Sequence, residues 1–245
     1  MSMIFATHTC SYATATLIAL ALTACGGGGS GTPATTTSAT TTFPLAAAMA
    51  SFARDTRSVP FTLSGTGTSG AQTVAFSGSG SISSSIATGT FEGAAAQVKT
   101  LTTTATLAAQ GTSSPISDTA VAYYDANYRT LGTSTAGSYC VSSPADGFPA
   151  TAKVGDTGTW YTATCYTNSA KSTRTSTGAL TFSVEPLTDT SALLRITQKT
   201  TPLTGAAVSK DLTYTITTAG TVTPRETPFA ITSSGVTVNL TFKFL

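Results

Sequence analysis

The sequence predicts an all-β fold: a single antiparallel meander of about eleven strands, curved into a half-barrel or barrel-like sheet, with one short N-terminal helix. A β-sandwich is the alternative architecture. Three observations carry this expectation. From Val59 onward apolar residues recur at every second position, most cleanly where Val236, Val238, Leu240, Phe242 and Phe244 alternate with Thr237, Asn239, Thr241 and Lys243. Short turn-forming stretches separate these runs. Threonine, whose branched Cβ fits a pleated and half-exposed surface, makes up roughly a fifth of the chain.

In chain order the first feature is "LIALALTACGGGG", residues 17–29. The apolar run from about Ala13 to Leu22 is shorter than the roughly 20 residues that span a bilayer as a helix, and has the length of a signal-peptide core. The nine residues before Cys10 contain no Lys or Arg, a departure from the usual positive start of such signals. Leu22-Thr23-Ala24-Cys25 resembles the lipobox of bacterial lipoproteins, and the chain as a whole is similar to small envelope lipoproteins of Gram-negative bacteria. The resemblance implies cleavage before Cys25 and lipidation of its thiol and new amino group. Gly26 stands where that family carries an inner-membrane retention Asp, which implies the outer membrane. Residues 1–24 are therefore expected to be a lipoprotein signal peptide, and residues 25–43 a lipidated Gly/Ser/Thr-rich tether. Residues 44–245 are expected to form a single β-rich domain. As a random coil of about 17 residues the tether reaches roughly 20–25 Å, which holds the domain close to the membrane, facing the periplasm or the cell surface.

"PLAAAMASFARDTR" is the helical passage. Pro44 is compatible with a first turn, and Leu45, Met49, Phe52 and Ala53 fall at i, i+4, i+7 and i+8 as one apolar stripe. The expected role is a short helix covering one end of the sheet.

Strands follow, with Leu101, Thr103, Ala105 and Leu107 on one face, then Leu180, Phe182 and Val184, then Leu212, Tyr214 and Ile216. Turns are expected at "GTGTSG" (65–70), at Asp125–Asn127, at "VGDTG" (154–158), around Gly220 and at "SSG" (233–235).

With Cys10 in the signal and Cys25 lipidated, Cys140 and Cys165 remain and are expected to pair in an oxidising compartment. Closing a loop of about 25 residues stabilises the fold by roughly 3–4 kcal/mol in the chain-entropy model. No cofactor and no metal site is expected, because the single histidine, His8, leaves with the signal. Charged residues are 9% of the chain and the net charge is +2, so neither a nucleic-acid partner nor a polybasic membrane patch is expected.

Apparent catalytic motifs fail on context. Gly65–Gly70 matches G-x-G-x-x-G, but an alternating strand follows it rather than the helix a pyrophosphate needs. Asp156-Thr157-Gly158 has no second copy to share a proton, and reads as a turn. A mature chain without histidine has no base for serine hydrolysis. Glycoside hydrolysis needs two carboxyl groups, and Glu92, Glu185 and Glu226 are available without forming an obvious pair.

The aromatic residues Tyr123, Tyr124, Tyr128, Trp160, Tyr161 and Tyr166 are the candidate ligand or interface residues. Strict alternation places Tyr123 opposite Tyr124, and Trp160 opposite Tyr161. A C-terminal apolar strand also occurs in transmembrane barrels, but here Leu245 follows Phe244 and offsets the frame by one residue. The leading functional expectation is a non-catalytic, membrane-anchored protein binding an apolar ligand or lipid in a cavity lined by Phe182, Ile216 and Phe242. The alternatives are a structural or adhesive module binding envelope protein or glycan, and a carboxylate-dependent hydrolase.

Overall fold

The computed structural model describes residues 40–144, 147–204, 207–225, 227–233 and 236–245. The expected signal, Cys25, most of the tether, Glu226 and the second half of the "SSG" turn lie outside the described residues. Among the described residues the fold is all-β with one helix, as expected, but with fifteen strands rather than about eleven. Three of the extra ones, β1 (Thr42–Phe43), β8 (Ala152–Lys153) and β13 (Val222–Pro224), are too short to show alternation. Strand β1 pairs with β8, and its Phe43 is fully buried, so the packed structure includes the last two residues assigned to the tether.

The other thirteen strands form one antiparallel sheet. A first group of long hairpins is built by β2 (Val59–Ser69), β3 (Gln72–Phe91), β4 (Ala94–Ala109) and β5 (Thr112–Tyr124). The short β6 (Thr130–Thr135) and β7 (Ser138–Pro144) come next, then β9 (Thr157–Tyr166), β10 (Arg174–Thr188), β11 (Ser191–Pro202) and β12 (Val208–Thr217). After β13, the hairpin of β14 (Thr227–Ser233) and β15 (Val236–Phe244) docks on the far edge beside β2. The order across the sheet is β13-β12-β11-β10-β9-β7-β6-β5-β4-β3-β2-β15-β14. The chain thus passes from one sheet edge to the other between Pro224 and Thr227, three peptide steps that reach at most about 11 Å. That short crossing draws the two edges together at one corner, and the sheet curves into a half-barrel that does not hydrogen-bond shut.

Turn chemistry sets the long hairpins. Glu92-Gly93 (φ 50° and 80°) and Gln110-Gly111 (φ 49° and 78°) take left-handed conformations at both central positions. These two-residue loops match the twist of the flanking strands. The "GTGTSG" stretch is not a turn: Gly65 and Gly67 lie inside β2, and only Gly70 (φ 58°) turns. The reason is close approach, since a Cβ on Gly65 would stand 2.0 Å from the Asn239 carbonyl oxygen of β15. Asp125, Asp156 and Gly220 are in turns as expected. The Asp125 carboxylate accepts from the Asn127 and Arg129 N–H groups at 2.8 Å, and that of Asp156 from the Lys153 N–H at 2.9 Å.

The helix α1 (Leu45–Arg54) buries Leu45, Ala48, Met49, Phe52 and Ala53, the predicted stripe plus one alanine. It packs against the sheet in one cluster with residues from β2 to β5 and from β9 to β13. Its N-terminal Pro44 sits against the β12–β13 turn at Gly220. At its C-terminus the Asp55 carbonyl accepts from Ser84 Oγ of β3 at 3.2 Å. The helix therefore crosses the half-barrel as a strut. Phe52 meets Tyr214 of β12 edge-on at 5.4 Å, and each large side chain buried this way contributes about 1.5–3 kcal/mol.

Alternation holds in the core strands, where Leu180, Phe182, Val184, Leu212, Tyr214 and Ile216 are all buried. On the opposite face Arg195 binds Glu185 and Asp211, and Thr197 Oγ1 donates to Asp211 at 2.7 Å. This charged patch stands where a transmembrane barrel carries its apolar band.

Candidate functional site

Cys140 of β7 and Cys165 of β9 are directly paired in the ladder, with Cα atoms 4.0 Å apart, and form the expected disulfide. It staples the two strands that flank one side of a cavity of about 610 Å³.

The cavity lies between the C-terminal half of α1, the inward ends of β4, β5 and β9, the β5–β6 loop and the segment after β7. Met49, Phe52 and Ala53 of α1 form its inner wall. Tyr124 of β5 and Trp160 and Tyr161 of β9 form the aromatic side, and Phe148 stacks on Trp160 with centroids 4.5 Å apart. The rim is the loop 125–129, where Tyr128 adopts a left-handed φ of 61°. A bulky residue in that conformation is costly and is often found at sites of function. Tyr128 lies 5.9 Å from Tyr124 and carries the Arg54 guanidinium 4.5 Å above its ring. Arg129 pairs with Asp125 across the loop at 3.2 Å.

Four of the six predicted aromatic residues, Tyr124, Tyr128, Trp160 and Tyr161, thus converge on one site. Tyr123 is on the opposite face, as alternation requires: it packs on Phe91 at 4.5 Å, beside Tyr139. Tyr166 ends β9, paired with Tyr139 in the ladder, and does not line the cavity. Trp160 and Tyr161 correct the strict alternation. The β9–β10 register slips between Leu180 and Thr181, so Leu180 faces Tyr161, Thr181 faces Thr159, and Trp160 is the extra residue of a β-bulge. Both rings therefore point inward, 8% exposed each. Phe182 and Ile216 do not line the cavity as expected: packed with the α1 side chains in one cluster they are solid core, and Phe242 is packed against it.

The polar lining is sparse. Lys99 of β4 is 2% exposed, and its ammonium donates to the Ala53 carbonyl at 2.9 Å and to the Phe52 carbonyl at 3.4 Å. Burial pulls its pKa down to about 8, against a weaker pull upward from Asp55. The Tyr124 and Tyr161 side chains are 4% and 8% exposed, and neither hydroxyl hydrogen-bonds another described residue. Burial raises the pKa of both phenols. Asp125 is the single acid among the described lining residues.

Lys99, Phe52, Met49 and Phe148 were missed in the sequence. Lys99 had a signal: it stands two residues before Leu101, in phase with the inward row Leu101, Thr103, Ala105 and Leu107. A lysine in an apolar frame marks a buried charge with a task.

No known family model matches the chain, and neither does any curated protein or solved structure.

Proposed function

We propose that the chain is a non-catalytic binding protein, lipid-anchored at Cys25 in the outer membrane, that takes an apolar ligand into the aromatic cavity beside α1. The observation that carries this reading is the cavity itself. Its volume falls within the roughly 300–1,000 Å³ of small-molecule sites, and its walls are apolar and aromatic with a few convergent polar groups. Against hydrolysis, the lining offers one carboxylate where glycoside chemistry takes two. Elsewhere Glu185 is bound by Arg195 and Glu92 by Lys171 and Tyr139, contacts that lower both pKa values, whereas a general acid needs a raised one. The second reading, a module that binds envelope protein or glycan, draws on the packed Phe91, Tyr123 and Tyr139 rings of the outer face.

Trp160 is the only tryptophan of the chain, so its emission reports on this cavity alone. The test is native mass spectrometry of the full chain carrying Cys25→Ser, followed by titration with decanoate and 1-decanol. A bound mass stripped by organic solvent, and a Trp160 emission shift that saturates with either probe, are expected. A ligand-free mass together with an unresponsive Trp160 sinks the reading.

A further inference from the structure

The buried ammonium at the cavity wall identifies one end of the ligand. An ammonium has three donors, and Lys99 spends two of them on the Phe52 and Ala53 carbonyls at the end of α1. Among the described residues no carboxylate hydrogen-bonds it; its charge is met by the partial negative charge of the helix C-terminus and, without a direct bond, by the Asp55 carboxylate, which is itself paired with Arg57. A buried cation with no directly bonded counter-charge is costly, and Lys99 lines the cavity with one ammonium donor left over. Ladder pairing sets Lys99 opposite Ala122, so Tyr124 is the next inward position on the neighbouring strand. Tyr124 and Tyr161 are more than nine-tenths buried, line the same cavity and hold hydroxyls without a partner among the described residues. Lys99 and Tyr124 thus stand at neighbouring inward positions, Tyr161 is close enough to Tyr124 for their phenols to interact electrostatically, and the three donors line one cavity whose other polar groups come mainly from the β5–β6 loop.

We propose that the ligand is an amphiphile with one anionic head, a carboxylate, seated on the Lys99 ammonium with the Tyr124 and Tyr161 hydroxyls beside it, and an apolar body against Trp160 and Phe148. This rests on the ligand-binding reading above and adds the chemistry of the head. A charge-assisted hydrogen bond in a dry site favours the anion because water no longer competes for the ammonium.

The experiment compares two probes of one chain length, decanoate and 1-decanol, by Trp160 emission at pH 7 on the full chain carrying Cys25→Ser. Decanoate is expected to bind at least about tenfold more tightly than the alcohol. In Lys99→Gln, whose amide keeps donors for the helix carbonyls but carries no charge, that preference should fall to within about twofold while the alcohol binds as before. Equal binding of both probes to the unsubstituted Lys99 chain overturns the anionic head and leaves the cavity reading standing. A decanoate preference that survives in Lys99→Gln overturns the role of Lys99. No response to either probe removes the ligand-binding reading and this inference together. Should Lys99→Gln fail to fold, the double variant Tyr124→Phe/Tyr161→Phe decides: loss of at least threefold in decanoate affinity with the alcohol unchanged supports the placement of the head, and no loss overturns it.

Discussion

The rings of Trp160 and Tyr161 meet edge to face, centroids 5.1 Å apart and planes at 72°, although the two residues are chain neighbours in a strand. The bulge that turns both inward commits Tyr161 to a place where its hydroxyl finds no described partner. A polar group held for a ligand contributes nothing to the empty fold. Tyr161→Phe should therefore leave the midpoint of chemical unfolding unchanged or raise it, by up to about 1 kcal/mol of stability, while weakening decanoate binding. A loss of more than about 1.5 kcal/mol in urea titration means the hydroxyl is bonded inside the protein.

The Cys140–Cys165 bridge closes a loop with a sequence separation of 25 in the unfolded chain. Replacing both residues by alanine should lower the unfolding free energy by about 3 kcal/mol, through the larger entropy of the opened chain. Equilibrium urea unfolding followed by Trp160 emission measures this. Unchanged stability in the double variant shows that the bridge does not form in solution.

How far the sequence was legible depends on where a local rule met a tertiary one. Helix α1 and the strands at Leu180–Val184 and Leu212–Ile216 were legible because period and burial agree there. The glycines of "GTGTSG" misled because a glycine needed for close strand approach looks, in sequence, the same as a glycine needed for a turn; Gly65 yields to the Asn239 carbonyl, a contact with the other end of the chain. The bulge at Trp160 was invisible since only the partner strand reveals the extra residue. The aromatic residues of the site were legible as a set, but which of them converge was decided by that bulge and by the β5–β6 loop. The expected cavity residues failed for one cause: Phe182 and Ile216 are packed with the helix side chains in one core cluster, and Phe242 lies against it.

Gly132 of β6 lies beneath the ring of Phe91, and a Cβ there would come within 2.3 Å of both Phe91 Cζ and the Cys140 carbonyl oxygen. The ring has some freedom to move, but the carbonyl belongs to the β6–β7 ladder. Gly132→Ala should cost about 1–3 kcal/mol, as overpacking does, and Phe91→Leu in the same chain should recover only part of it. Complete recovery in a double-mutant cycle shows that the ring alone makes the constraint.

The buried Lys99 and the half-buried Lys210 give the stability an alkaline slope. Burial lowers Lys99 to about 8 and Lys210 to about 7, from the ordinary 10.5. Below about pH 7 both lysines are protonated folded and unfolded, so the cost of burying their charges is fully present. Between the folded and unfolded values the unfolded chain holds protons that the folded chain has shed, and stability therefore rises with pH. Lys210 acts from about pH 7 and Lys99 from about pH 8, and both effects are complete near pH 10.5. Each lysine contributes at most about 1.4 kcal/mol per pH unit inside its window. Tyr124, Tyr161 and Tyr214 carry the opposite sign: burial raises their pKa values, so above about pH 10 the unfolded chain loses protons that the folded chain keeps, and stability falls. Urea titrations at half-unit steps should show unfolding free energy climbing from pH 7 to a maximum near pH 10 and dropping beyond it. In Lys99→Gln the rise between pH 8 and 10 should become shallower while the segment from pH 7 to 8 stays. A flat profile from pH 7 to 10 means that both ammonium groups are solvated, and with them the wall of the cavity at Lys99.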